Sequence, residues 1–312
     1  EISDRDFIKE NRKFSINSVY NKFQNYLVET FKNYNPDFMF FGHTNNIDLN
    51  TINMLKNNNK NLIISQWNED PIMPSLSDSK SNINKISFYS SIADHNFITT
   101  DPNVFRKQNK SIKNLHFIFI PVDKNIECFN VFKLQPRKDL FYAMSHGVNR
   151  ATLKKGKNDN RIHFLNSLIK KINGINYDFY GFENKEPVWG DDFYMALINS
   201  KMGLNLSRGS PIKYYSSDRI TQITGNGLVT LIDKKTEYRD FFTDKEMVFY
   251  SNISDLSEKI LKISRDEKLR KSIGRKGKEK YVKFFNSNLV ADFIINKTFE
   301  INNKKKYLWH DK

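Results

Sequence analysis

Asn35-Pro36-Asp37-Phe38-Met39-Phe40-Phe41-Gly42 decides the fold class. Asn-Pro-Asp stops a helix, because proline has no amide hydrogen and drives the residue before it into extended backbone. The four apolar residues that follow do not alternate with polar ones. That pattern marks a strand buried on both faces, as in a parallel sheet, and Gly42 closes it. Upstream, Val19, Phe23, Leu27 and Phe31 recur every four residues and predict a helix over 17–32. Downstream, a helix near 50–56 leads to a second apolar run, Leu62-Ile63-Ile64-Ser65, which passes into Trp67-Asn68-Glu69-Asp70-Pro71. Ile86–Tyr89, His95–Thr99 and His116–Pro121 read as further strands. Strands in this rhythm with helical crossovers predict a parallel α/β sheet.

Residues 122–138 are polar and turn-rich, end in Gln135-Pro136-Arg137-Lys138, and read as a linker. A second α/β series follows. Its strands are predicted at Asp139–Met144, Tyr177–Tyr180, Met202–Leu206, Leu228–Ile232 and Glu246–Tyr250. Its helices are predicted at Arg161–Ile172, Asp191–Asn199, Ser217–Thr224, Ile253–Ser264 and Glu267–Phe285. The expected organisation is a Rossmann-like domain over 1–122, a second over 139–285, and a helical tail over 286–312 that packs back on the first domain. The sequence opens on Glu1-Ile2-Ser3-Asp4 without the Gly-rich strand-turn-helix of a doubly wound domain, so the first βα unit is expected to be absent. Two such domains face each other across a cleft, with ligands outside the carboxyl ends of the strands.

Composition narrows the function. The chain has 312 residues, 38% hydrophobic and 14% aromatic, which is enough to build cores and too much for a disordered protein. The lone Cys128 excludes an intramolecular disulfide framework and a cysteine-rich zinc site, and fits a reducing compartment such as the cytoplasm. The net charge is +15, from 50 Lys and Arg against 35 Asp and Glu, and implies an anionic partner. Phosphorylated substrates and a peripheral contact with an anionic membrane both fit. Nucleic acid fits less well: the lysines are spread along the chain, and no zinc-finger, helix-turn-helix or RNA-binding signature is present. No apolar run reaches the length of about 18 residues needed for a membrane span. Oligomeric state is not legible.

Several loops carry candidate chemistry. Past the strand ending at Met144 lie Arg150 and Lys155, a guanidinium fork and an ammonium able to grip a diphosphate, or two solvated cations in a Lys-rich chain. Ser207-Arg208-Gly209-Ser210-Pro211 follows another strand, and its small residues let a ligand approach the backbone. Ser217 or Asp218 then starts a helix whose amide end suits phosphate, with Arg219 beside it. Ordinary capping explains the same residues. Tyr180-Gly181 sits at a third strand end, where backbone groups and a ring, Tyr180 or Trp189, can meet a nucleobase; core burial is the plainer fate of such aromatics. In the first domain, His43, Glu69 and Asp70 follow strand ends and are the candidate acceptor bases, although Asp70 before Pro71 also reads as a turn residue.

Arg219-Ile220-Thr221-Gln222-Ile223-Thr224-Gly225-Asn226-Gly227, then Tyr238-Arg239-Asp240-Phe241-Phe242, then Ile273-Gly274-Arg275-Lys276-Gly277 and Tyr281, resemble the C-terminal half of GT-B glycosyltransferases, closest to the spore-maturation CgeB-like group within the glycosyl transferases group 1 class. Trp67-Asn68-Glu69-Asp70-Pro71 and Thr100-Asp101-Pro102 are similar to segments of that group's first domain. The resemblance spans about residues 36–285. It implies a hexosyltransferase with two Rossmann-like domains and a nucleotide-sugar donor, most simply a UDP- or GDP-sugar, held mainly by the second domain. It implies transfer to a glycan or protein acceptor, retention at the anomeric carbon, and no metal or further cofactor. By the same resemblance, Arg150 and Lys155 hold the diphosphate. Ser207, Arg208, Gly209, Arg219, Gln222, Thr224 and Gly225 line the donor site, with Tyr180 and Gly181 at the base, and Asp70 or His43 serve as acceptor base unless the leaving phosphate takes that role. Gln222 stands where the family carries a glutamate for the ribose hydroxyls; it accepts a hydrogen bond without bringing a charge. The alternative is a non-catalytic module of the same fold that binds an anionic glycan or nucleic acid.

Overall fold

In a computed structural model of the chain, the residues described are 2–11, 13, 15–42, 46–72, 77–144, 160–301 and 306–309. Helices α1 (Asp4–Glu10) and α2 (Ile16–Tyr34) come first. They are followed by β1 (Phe38–Phe41), α3 (Leu49–Asn58), β2 (Ile63–Asn68), α4 (Ser77–Ser90), β3 (His95–Ile98), α5 (Pro102–Arg106) and β4 (Leu115–Phe117). The strands form a four-stranded parallel sheet in the order β1-β2-β3-β4. The second series is β5 (Lys138–Ala143), α6 (Asn160–Ile169), β6 (Tyr177–Tyr180), α7 (Gly190–Ile198), β7 (Ser200–Asn205), α8 (Arg219–Gly225), β8 (Val229–Asp233) and β9 (Val248–Tyr250). Its five-stranded parallel sheet runs β6-β5-β7-β8-β9. Helices α9 (Ile253–Arg265), α10 (Glu267–Phe284) and α11 (Ser287–Thr298) complete the chain.

Local sequence explains most of these elements. Helix α2 starts where Ser15 accepts a hydrogen bond from the amide of Ser18, and it stops at Asn35, whose left-handed backbone (φ 41°) caps it ahead of Pro36. Its stripe of Val19, Phe23, Leu27 and Phe31 is buried, and the last three share a cluster with Phe41 and Ile64 of the first sheet and Ile52 and Leu55 of α3. Each such side chain contributes about 2 kcal/mol relative to exposure. One reading is corrected: Ile86–Tyr89 is not a strand but the last turn of α4. Asn82, Ile86 and Tyr89 are buried while Phe88 is exposed, which is helical rather than alternating spacing.

The two sheets share a core. Phe97 and Phe117 of the first domain, Tyr238 and Phe241 of the second, and Phe293 and Trp309 of the C-terminal segment lie in one aromatic cluster. Residues 122–138 are strapped down rather than loose. The buried guanidinium of Arg270 donates to the carbonyls of Val131 and Leu134, and the ammonium of Lys278 to those of Glu127 and Phe129. Helix α11 returns to the first sheet, where Thr298 and Ser65 join hydroxyls at 3.1 Å. In the second sheet the strand order reverses between β5 and β7, so the crevice of an open α/β sheet opens outside their carboxyl ends, beside the loop 206–218 that follows β7.

Candidate active site

The loop after β7 is a closed excursion pinned at its base. The amide of buried Asn205 donates to the hydroxyl of Ser216 at 2.6 Å, and the hydroxyl of Ser217 donates back to Asn205 at 3.3 Å. At its tip Gly209 takes a φ of +83°, open to glycine with little strain, and Asn160 at the start of α6 bonds both its amide and its carbonyl (3.2 and 3.0 Å). A cavity of about 190 Å³ lies between this loop and α6. Arg161, Phe164, Tyr215, Asp233 and Tyr250 are among its walls. Burial pushes the Asp233 carboxyl above its usual range. The Tyr250 side chain is 1% exposed, and its hydroxyl has no hydrogen-bond partner among the described residues.

Arg219 closes the other flank. Its Nη2 donates to the carbonyl of Leu206 at 2.6 Å, and its guanidinium lies 5.2 Å from the ring centre of Tyr142, whose own hydroxyl donates to the same carbonyl at 3.0 Å. Its Nε is buried without a partner among the described residues. Tyr215 joins the two domains electrostatically. Burial raises its pKa, the carboxylates of Asp70, Asp218 and Glu69 raise it further, and Arg219 lowers it. Asp70 of the first domain thus lies within electrostatic reach of Tyr215, and its amide donates to Asn68 at 3.0 Å. Close by, the amide of Asp101 donates to the carbonyl of Lys213 at 3.1 Å, which seats the loop on the first domain.

Ser207, Gly209, Arg219 and Asp70 therefore converge on one region, with Arg208 on the same loop. His43, Arg150 and Lys155 lie outside the described residues. Gln222 is half-buried on α8, where its carbonyl accepts from Asn226. Four expected residues make contacts within their own domain or with the 122–138 segment. Thr224 is fully buried and shares a hydrogen bond of 2.7 Å with Thr230, inside the domain. Gly225 faces the 122–138 segment: a Cβ there would stand 2.7 Å from Val122 and 2.8 Å from Glu127. Tyr180 lies on edge strand β6, its ring capped by the Lys185 ammonium 4.0 Å from the centroid. Gly181 is required by packing, since a Cβ would meet the Met144 carbonyl oxygen, and its amide is spent on Lys185. The start of α8 also differs from the expected open amide end. The amides of Ile220, Thr221 and Gln222 already donate to the carbonyls of Ser217 and Asp218, and Asp218 makes no side-chain cap bond. Asn160, Asp233, Tyr215 and Tyr250 were not anticipated. Asp233 and Tyr250 each end a strand, and that position was the available signal.

A search of curated proteins finds no match. Residues 158–296 match the family model described as glycosyl transferase-like. Solved structures extend the likeness to both domains. HepE of Anabaena, solved in complex with UDP-glucose, superimposes with a TM-score of 0.61 at 10% identity over 89% of this chain and 82% of its own. The chain has the GT-B fold. TarM aligns with a TM-score of 0.58 at 14% identity over 87% of this chain, which spans 57% of the TarM chain. The sucrose-phosphate synthase of Thermosynechococcus elongatus aligns at 0.57 and 10% identity, over 91% of this chain and 79% of its own. The GT-B arrangement gives the crevice between loop 206–215 and Asp70 its context: two parallel sheets presenting their carboxyl ends to one cleft. Among the described residues no helix is long and apolar enough to cross a membrane.

Proposed function

We propose that this chain is a glycosyltransferase that moves a sugar from a nucleotide donor, most simply a UDP- or GDP-sugar, to a glycan or protein acceptor. The observation that carries the reading is the convergence of Arg219, the 206–211 loop and Asp70 at the strand-order reversal of a GT-B fold. The glycosyl transferase-like family match over 158–296 supports it. The motifs at Arg219–Gly227 and Ile273–Tyr281 resemble those of the CgeB-like group, and that resemblance also supports it.

In this reading the donor lies along the carboxyl ends of β5 and β7. As the glycosidic bond breaks, negative charge grows on the leaving diphosphate. Fixed cations stabilise it best where water is excluded. Arg219 has its guanidinium plane set by Tyr142 and Leu206, which leaves its other N–H groups free to turn toward phosphate oxygens. Arg150 and Lys155 join it by motif. Asp70, across the crevice, is placed to accept the proton of the attacking hydroxyl, with the departing phosphate as the other acceptor. Cations in these roles make a metal ion unnecessary, and retention follows from the motif resemblance.

Calorimetric titration with UDP, GDP, ADP and dTDP tests the reading. One of them is expected to bind, with affinity lost in Arg150→Ala and Arg219→Ala. Turnover of the matching sugar nucleotide should then survive EDTA. Silence from all four nucleotides would remove the proposal. Binding without turnover on any acceptor would favour the module reading, to which the neutral Gln222 lends support.

A further inference from the structure

We infer that the cavity beneath the 206–212 loop receives the sugar ring of the donor, and that Tyr250 and Asp233 read its hydroxyl groups. This rests on the nucleotide-sugar reading and adds the residues that choose the sugar.

Size is the first argument. At about 190 Å³ the cavity falls below the roughly 300–1,000 Å³ of sites that enclose a whole small ligand, so it takes a part of one. Chemistry decides which part. The hydroxyl of Tyr250 is buried and has no partner among the described residues, a costly state that a ligand hydroxyl relieves, since it both donates and accepts. The Asp233 carboxylate accepts from the amide of Lys235 at 2.8 Å through Oδ1 and has further lone pairs for hydroxyl donors. Phe164 and Tyr250, with ring centres 6.1 Å apart, supply an apolar wall for the C–H face of a ring. Carboxylate, phenol and aromatic wall together suit a neutral polyol. They do not suit a pyrophosphate: burial already raises the Asp233 carboxyl, and a second anion beside it is unfavourable. Arg161 also lines the cavity, but it is buried and already engaged. Tyr215 belongs both to this cavity and to the electrostatic neighbourhood of Asp70. A sugar seated here is therefore close to the acceptor side.

The test is calorimetry on the full chain with UDP and with UDP-glucose, and with GDP and GDP-mannose in parallel, for wild type, Tyr250→Phe and Asp233→Asn. The nucleoside diphosphate alone is expected to bind all three proteins equally. The sugar nucleotide is expected to weaken about 5-fold in Tyr250→Phe and about 10-fold in Asp233→Asn. Equal weakening of both ligands would place the nucleotide in the cavity and overturn the inference. Unchanged affinity for both would place the sugar elsewhere and do the same. A wild type that binds none of the four ligands removes the UDP- or GDP-sugar donor on which the inference rests, a result distinct from the two above. A fold control comes without ligand: losing an unpartnered hydroxyl should leave the melting temperature of Tyr250→Phe at or above that of wild type.

Discussion

Lys213 and Asp101 join the two domains twice: the amide of Asp101 donates to the carbonyl of Lys213 at 3.1 Å, and the Lys213 ammonium stands 3.4 Å from the Asp101 carboxylate. Asp101 also caps α5 by accepting from the amide of Asn103. The backbone bond survives any substitution at either position, so the two residues can be compared. Asp101→Ala loses a cap and an ion pair and should cost about 1.5 kcal/mol. Lys213→Ala loses two half-exposed pairs, to Asp101 and to Glu237 at 3.3 Å, but leaves the cap in place, and should cost below about 1 kcal/mol. Thermal melts of the two variants check the order, and a larger loss in Lys213→Ala would contradict it.

Gly274 and Gly277 lie on α10, in a segment whose glycines form part of the family-like pattern. Their reason is backbone contact. A Cβ at Gly274 would run into the carbonyl oxygen of Gly227, and one at Gly277 would stand 2.5 Å from that of Glu246. Neither carbonyl belongs to a flexible side chain that can swing away. Gly274→Ala and Gly277→Ala should each cost about 1–3 kcal/mol by overpacking, read as an earlier urea midpoint with an unchanged slope.

Acid should weaken the first domain through His95. Its ring is buried and its Nδ1 lies 3.3 Å from Nε2 of His116. Burial lowers its pKa from the ordinary 6.5, against the pull of Asp94 and Glu300, and Lys297 lowers it further. The unfolded chain therefore binds this proton more readily than the folded one. The stabilising contribution is complete above the unfolded value of about 6.5 and fades as pH falls below it. Melting temperature measured from pH 7.5 down to 5.5 should fall in wild type and fall less in His95→Gln. Parallel curves would exclude the histidine as the cause.

Arg219 should tolerate no other cation. Its guanidinium donates to Leu206 while lying over Tyr142, a planar geometry that an ammonium does not reproduce. Arg219→Lys keeps the charge and should still lower nucleoside diphosphate affinity about 10-fold or more. Calorimetry beside a melting curve separates this from unfolding.

The apolar runs at Phe38–Phe41 and Leu62–Ser65, and the four-residue stripe of α2, were legible because burial imposes a short period on neighbouring residues. The same reading failed at Ile86–Tyr89, where a helix in contact with the sheet gathers apolar residues densely enough to resemble a strand. Thr224 and Gly225 share a motif with Arg219 but lie at the far end of α8, pressed on β8 and the 122–138 segment.

By itself, then, the sequence determined the alternation of strands and helices, the two domains' worth of parallel sheet, and the loops where polar residues follow strand ends. Only the tertiary structure decided which of those loops share a space. Asn160, Asp233 and Tyr250 are far apart in the chain and carry no spacing that links them; they meet because β9 pairs beside β8 and the start of α6 is bonded to the 206–212 loop through Asn160 and Gly209. Periodicity records what a residue does for its own element. A site made by parallel crossovers depends on the order of strands in the sheet, which nonlocal packing sets.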